Sequence, residues 1–395
     1  MTSEISAPDS GSVGGDAVGG GAVGGGAVSG GAVGSGAVGG GEAGRGEAGR
    51  VSRSRWQAAV RWESALVLVL AGTLIFGASG SAYFLNGTNF FYIGLNIGEI
   101  AIMALPLTLI VMTGEIDLSV ASMLGLSGTI MAVLFSHGWP IWLAMAGALA
   151  AGGLGGALNG LLVAKFGLPS IAVTIGTLTL FRGLAEILLA PRIVTGFPAS
   201  LTKVGVVPVP GTQLAYSAVI FAVLAVVTGI VLHATPLGRA LVAVGLQREA
   251  AEFAGIRVGK IKFWLFVLSG FTCSFAGILF SLKNASVSYD AGTGLELTVV
   301  AIVLFGGVSI FGGRGTIAGV VLSVVIVGSL QQALTQRTVQ PEVQNVIIGL
   351  LLLISVIIPN GSEAVRRIRD RARRRHAAAP GPRPGRTAEP GPVPR

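Results

Sequence analysis

The sequence predicts an all-α polytopic membrane protein of about ten transmembrane helices with a cytoplasmic coupling helix. Three observations carry that expectation. Of 395 residues, 52% are hydrophobic and only 11% charged, with a mean hydropathy of +0.77, whereas soluble domains carry about 25% charge. Between Ala65 and Asn360 apolar runs alternate with short polar joints, each run approaching the ~20 residues that cross ~30 Å of hydrocarbon. Finally, the net charge of +9 gathers at the two ends and in one internal joint. That distribution suits an anionic membrane surface and excludes a continuous nucleic-acid-binding face.

Three regions follow one another. Residues 1–62 form a glycine-rich and then arginine-rich tail, with Ala17, Ala22, Ala27, Ala32 and Ala37 spaced by five. Glycine at that density loses too much backbone entropy on ordering, so this tail is expected to be disordered and cytoplasmic. Its GxGxxG match at Gly19, Gly21 and Gly24 has no strand before it and no helix after it, and is read as chance. Residues 63–360 form the transmembrane domain. Residues 361–395 are basic, proline-rich and expected to be disordered.

Ten spans are expected near 64–80, 93–113, 119–135, 141–164, 169–189, 214–234, 262–283, 295–311, 315–334 and 344–358. The third, eighth and ninth are rich enough in glycine that one of them is open to being re-entrant or broken. An even count places both termini on one side. The arginines before the first span and those from Arg366 to Arg375 put that side in the cytoplasm of a plasma-membrane protein. Lys165, the run from Arg239 to Lys262, and Arg314 then fall inside, and the joints at Asn86, Trp139, Asp290 and Pro341 fall outside. Arg192 and Lys203 oppose the rule weakly.

Catalysis is not expected of this chain, nor is a bound cofactor or metal. Cys273 is a lone cysteine within an apolar run, and His137, His233 and His376 are far apart in the sequence. Gly255 to Ile261, GIRVGKI, fails the Walker A spacing by one residue and lacks the Ser or Thr after its lysine. Any ATP is therefore hydrolysed on another polypeptide.

The joint at 233–262 is the most informative segment. Pro236 and Gly238 open it, and Leu241, Val244, Ala251 and Ala254 can share one face of a short amphipathic helix, with Arg239, Gln247, Arg248 and Glu252 elsewhere. Such a helix either rests on the lipid headgroups or receives a soluble partner. Glu249-Ala250-Ala251 followed by Gly255 looks like the EAA-x-x-x-G loop of ABC-importer permeases, although the Ile-x-Leu-Pro continuation is replaced by Lys262-Phe263-Trp264.

Three further segments resemble permeases of the ribose, galactoside and rhamnose type. They are TGEIDLSVAS from Thr113 to Ser122, NGLLVAKFGLPSIAVTIGTLTLFRGLA from Asn159 to Ala185, and LFGGVSIFGGRGTIAG from Leu304 to Gly319. The resemblance implies a monosaccharide importer of ribose- or rhamnose-like substrate. Its partners would be a cytoplasmic ABC ATPase, an extracytoplasmic sugar-binding protein and a second permease chain, identical or related. It also implies ATPase docking through Gly238, Arg239, Glu249, Ala250, Ala251 and Gly255.

Asp117 and Ser119 stand where one span ends and the next begins, placed either to cap a helix N-terminus or to take a direct part in transport. Glu99, Arg182 and Glu186 lie deeper in apolar runs, where ionisable groups face a bundle interior or an aqueous path. Arg182 and Glu186, four apart, can also form a helical ion pair. Gly152, Gly156 and Gly160 form a GxxxGxxxG repeat, read as a helix-packing surface. The alternative function is an ion-coupled secondary transporter, which would load its ion on a buried carboxylate such as Glu99.

Overall fold

In the computed structural model the described residues are 43–354 and 357, with side chains from Trp62 onward. The glycine-rich repeat up to residue 42 and the arginine-rich end beyond 361 lie outside them, and of Arg45 to Arg61 only the backbone is described. The chain divides into two units, Met1–Arg53 and Ser54–Arg395. In the first, the described part is helical backbone from Ala43. All that follows concerns the second.

The helices in chain order are α1 (Ala43–Gly80), α2 (Gly87–Met112), α3 (Val120–Ser136), α4 (Ile141–Gly160), α5 (Ser170–Leu189), α6 (Ala199–Val206), α7 (Tyr216–Ala234), α8 (Pro236–Leu246), α9 (Arg248–Phe253), α10 (Val258–Asn284), α11 (Leu295–Phe305) and α12 (Ile317–Gln336). A further helix, α13, covers Pro341–Ile354. A single π-helical turn, Leu161–Lys165, extends α4. Two short strands, β1 (Val194–Thr195) and β2 (Ser286–Val287), pair antiparallel and tie the joint after α5 to the joint after α10.

Seven of the described helices are long and apolar enough to cross a membrane: α1 from Trp62, α2, α4 with its π turn, α5, α7, α10 and α12. The expected spans at 119–135, 295–311 and 344–358 correspond to the shorter α3, α11 and α13. The departure is largest at α11. Its 11 residues rise only ~16 Å, about half the hydrocarbon thickness. The apolar run continues to Phe311, but Gly307, Gly312 and Gly313 adopt φ of +85°, +80° and +71°, a left-handed backbone that ends a helix. The eighth expected span is thus a short helix followed by a glycine-rich loop, and the ninth, α12, is a full 20 residues.

Two helices form the centre. From Ile97 to Met112 every residue of α2 is buried, so a run that is apolar on all sides lies among other helices. It packs against α7, α10, α11 and α12, while α10 packs against α3, α4 and α6. By contrast α5 and α7 bury only one stripe each and leave Ile171, Ile175, Val223, Val226 and Ile230 exposed, as helices do whose other face meets lipid.

Helices in lipid gain little from excluding water between them, so close contact has to supply the attraction. The GxxxGxxxG repeat of α4 provides it. A Cβ at Gly160 would stand 2.9 Å from the Phe263 carbonyl oxygen, and a Cβ at Gly270 would stand 2.8 Å from the Gly156 Cα. The backbones of α4 and α10 therefore touch over two turns, as the repeat predicts. Replacing Gly156 by leucine is expected to force these helices apart at a cost of about 1–3 kcal/mol. The loss would be read as a lower melting temperature of the detergent-solubilised protein; an unchanged melt would show that the contact contributes nothing.

Candidate functional site

Three of the motif-bearing segments meet at one end of the bundle. The C-terminus of α2 turns at Gly114, with φ of +81°, and the amide of Gly313 donates to the Met112 carbonyl at 2.9 Å. A Cβ on Gly312 would lie 2.9 Å from Gly114 N and 3.0 Å from Gly245 Cα, and one on Gly313 would lie 2.8 Å from the Leu246 side chain. The segment after α2, the end of α8 and the loop before α12 therefore approach backbone to backbone, which side chains would prevent. Outside this junction Trp62 Nε1 donates to the Phe305 carbonyl at 3.2 Å, and Thr316 Oγ1 bonds Glu63 at 2.8 Å, fastening α1 to the same loop.

From the junction, the segment 113–119 leads inward to a buried polar network. Asp117 Oδ1 accepts the Ser119 amide at 3.0 Å and the Ser119 hydroxyl at 2.6 Å, and Oδ2 accepts the Ser269 hydroxyl of α10 at 2.9 Å. Asn159 of α4 donates Nδ2 to Ser119 Oγ at 2.8 Å. All four side chains are at most 3% exposed. A carboxylate in such surroundings is tolerable only when its lone pairs are taken up, and here three donors do so. The result corrects the capping expectation. Ser119 is the N-cap residue of α3 but its side chain makes no cap bond, and Asp117 binds the cap residue and a second helix rather than the free amides of the first turn.

The same segment is strapped on both sides. The Ile116 amide donates to Ser170 Oγ at 3.1 Å, and Thr174 Oγ1 donates to the Ile116 carbonyl at 3.3 Å, holding it to the start of α5. Glu115 pairs with Lys262, in the second turn of α10, and the two side chains are 17% and 5% exposed. Sequence reading placed Lys262 at the cytoplasmic start of the span 262–283 and gave Glu115 no role. Its partner lies 147 positions away, a separation without any local spacing signal.

The deeper charges are also redistributed. Glu99 bonds Lys283 of α10 at 2.7 Å, and Lys283 Nζ also donates to the Leu95 carbonyl at 3.0 Å. A small cavity opens beside them, bounded by Glu99, Val204, Gly205, Tyr216 and Ser217. Arg182 does not pair with Glu186. It donates to the Ala291 carbonyl at 2.8 Å and lies in the field of the Glu296 and Asp290 carboxylates, while Glu186, one turn further along α5, is exposed. Helical spacing permitted the pair, but the loop before α11 reaches Arg182 first.

The expected coupling helix is two helices. Thr235 caps α8, accepting the Gly238 amide at 3.5 Å with Pro236 in the first turn. Gln247 takes an extended conformation, φ −160° and ψ 102°, and separates α8 from α9. Leu241, Val244 and Ala251 are buried, the last two against Val258, but Ala254 is exposed and ends α9 rather than sharing the buried face. Gly255 follows with φ of +83°. Its amide reaches the Glu252 carbonyl at 2.9 Å, and Ile256 N reaches Ala251 at 3.0 Å, a turn that favours glycine. Arg239, Glu249 and Ala250 are exposed, as are Leu246 at 51% and Phe253 at 93%.

An all-helical membrane domain with a buried polar network and a short helical pair projecting beside it defines a multi-pass membrane permease. Residues 89–356 match the family described as branched-chain amino acid transport system, permease component, and the chain belongs to that family. Among curated relatives it is 32% identical to an autoinducer 2 import system permease protein of Klebsiella pneumoniae, over 75% of this chain and 91% of that protein. It is 33% identical to a ribose import permease protein of Haemophilus influenzae (66% and 81%) and 34% identical to an L-arabinose ABC transporter permease protein of Azospirillum brasilense (69% and 80%). No solved structure matches.

Breaking the Lys262–Glu115 pair leaves a largely buried charge alone, which costs about 3–5 kcal/mol where burial is complete. Lys262→Met and Glu115→Gln are each expected to lower the melting temperature, and the double variant to lose less than the two losses combined. Strict additivity would show that the pair contributes no coupling.

Proposed function

We propose that this permease is the membrane-spanning subunit of an ATP-driven importer of a neutral monosaccharide, resident in the plasma membrane with both termini in the cytoplasm. The names of its relatives, importers of ribose, arabinose and autoinducer 2, support a small polyhydroxylated cargo. In this reading a sugar-binding protein delivers cargo from outside, and a second permease chain completes the pathway. A cytoplasmic ATPase receives α8 and α9 through Arg239, Glu249, Ala250 and the neighbouring Phe253, with Gly238, Ala251 and Gly255 shaping and seating the helices.

The observation that carries this reading is the contrast within the α8–α9 pair. Its inner face is packed against α2, α10 and the glycine-rich loop, while its outer face presents Phe253 at 93% exposure. A large aromatic held out on a short, well-seated helix is a binding anchor. Because Gly245 lies against Met112 and Gly313, a push on α9 is transmitted to the segment that carries Glu115 and Asp117. The transporter then changes state to the extent that the ATPase dimer favours one arrangement over the other. Glu99 and Arg182 border the pathway in this reading, and Glu186 stands on its approach. Ion coupling through Glu99 is disfavoured on physical grounds, since its carboxylate is already neutralised by Lys283.

Phe253→Asp and Glu249→Lys change only the exposed face of α9 and are expected to leave membrane abundance normal. Co-purification of the ATPase, and the ATP hydrolysis stimulated by loaded binding protein, should fall about tenfold or more, as for loss of an interface anchor. Wild-type association and labelled-pentose uptake in both variants would refute the docking role. Sugar uptake by the purified chain in vesicles without an ATPase would refute the importer reading itself. Topology is checked separately: a reporter fused after Asn360 should read as cytoplasmic and one at Asn86 as external, and the reverse pattern would invert the orientation.

A further inference from the structure

One stripe in the first half of α2 carries amide side chains, Asn89 in its first turn and Asn96 two turns further into the span. Asn89 and Asn96 are seven residues apart, about two turns and ~10 Å along the helix, so they share a face. Opposite them on α12 stand Gln332 and Gln336, four apart. Asn89 Oδ1 accepts from Gln332 Nε2 at 2.9 Å and from Gln336 Nε2 at 2.7 Å, while its Nδ2 donates to the Phe84 carbonyl at 2.7 Å. Gln332 Oε1 then accepts Asn96 Nδ2 at 3.4 Å. The helices beneath are close, since a Cβ on Gly328 of α12 would stand 3.2 Å from both Ile93 and Ile97. The amides thus form a ladder on a stiff base.

The rungs differ in one respect. Asn89 makes three hydrogen bonds and is 5% exposed, whereas Asn96 is exposed, holds a single long hydrogen bond, and among the described residues has no donor to its Oδ1. An amide presented to hydrocarbon at that depth costs several kcal/mol, so its surroundings are polar. The nearest charge on α2, Glu99, is withdrawn into its pair with Lys283, leaving the ladder neutral. Each amide offers both a donor and an acceptor, the complement of a hydroxyl group. Neutral hydrogen bonds of this kind are also weak enough to let a solute leave again.

We propose that the Asn89–Gln332–Asn96 ladder, with Asn96 as its water-facing rung, is a hydroxyl-recognition site in the permeation path for a neutral polyhydroxylated solute; this deepens the sugar-import reading and rests on it. The site takes hydroxyl pairs of the passing solute on the Asn96 amide, and Gln332 and Asn89 hold that amide in orientation.

Two measurements on the full transporter test placement and recognition separately. The chain's one cysteine, Cys273, is buried, so introduced cysteines can be read against it. A membrane-impermeant, positively charged methanethiosulfonate is expected to modify Asn96→Cys roughly tenfold faster than Leu68→Cys, because the reactive thiolate forms in water and not in lipid. Leu68 is the control, an α1 side chain 74% exposed on the apolar surface. Equal rates overturn the aqueous placement, whatever the cargo.

For recognition, Asn96→Leu is expected to raise the KM for ribose relative to 2-deoxyribose about three- to tenfold, the loss of one net hydrogen bond, with Asn96→Gln restoring part of the difference. An unchanged ratio overturns the recognition role. So does a variant whose only defect is a lower melting temperature or dissociation from the second permease chain. A wild-type transporter that carries no neutral pentose or hexose overturns the import reading and the ligand class together, and the labelling result then reports on placement alone.

Discussion

Hydrocarbon offers no hydrogen-bond partner, and that constraint organises this protein more than any attraction between its apolar surfaces. Every polar group carried to membrane depth must be satisfied by another part of the chain or by a water-filled path. Asp117 meets the requirement with Ser119 and Ser269, Glu99 with Lys283, Glu115 with Lys262, and Asn89 with two glutamines. Most of these partnerships join α2, or the segment directly after it, to α10 or α12. The central position of α2 therefore follows from its polar residues as much as from its apolar ones.

Glycine supplies the complementary condition. Polar partners can meet across helices only if the backbones come close, and they do so where Gly152 and Gly156 of α4 face Gly270 of α10 and Gly160 faces Phe263. The same device operates at the end of the bundle, where Gly114, Gly245, Gly312 and Gly313 let three segments touch. There the closeness has a mechanical consequence. Backbone contacts without flexible side chains between them transmit displacement rather than absorbing it, so α8 and α9 are coupled stiffly to the segment that holds Glu115 and Asp117.

The arrangement separates two tasks. Near α9 the surface is exposed, with Phe253 standing out from it, and in the proposed reading this is where the ATPase docks. Farther in, Asp117, Glu99 and Glu115 are held by fixed partners, whereas Asn96 keeps a single long hydrogen bond.

Much of this protein was legible in its sequence. The hydropathy runs gave the helical membrane class, the GxxxGxxxG repeat gave the α4 packing surface, and the motifs from Thr113 and Leu304, with Glu249–Gly255, pointed to the family that residues 89–356 match. These are local signals, because helix length, small-residue spacing and short motifs are all written within about twenty consecutive positions. The tertiary structure decided the rest. It shortened the eighth span to α11, split the coupling segment at Gln247, gave Arg182 a carbonyl partner instead of Glu186, and brought Lys262 and Lys283 to carboxylates far away in the chain. The physical reason is the same in each case: composition records that a polar group enters the membrane, but which group satisfies it depends on which helices the packing brings together.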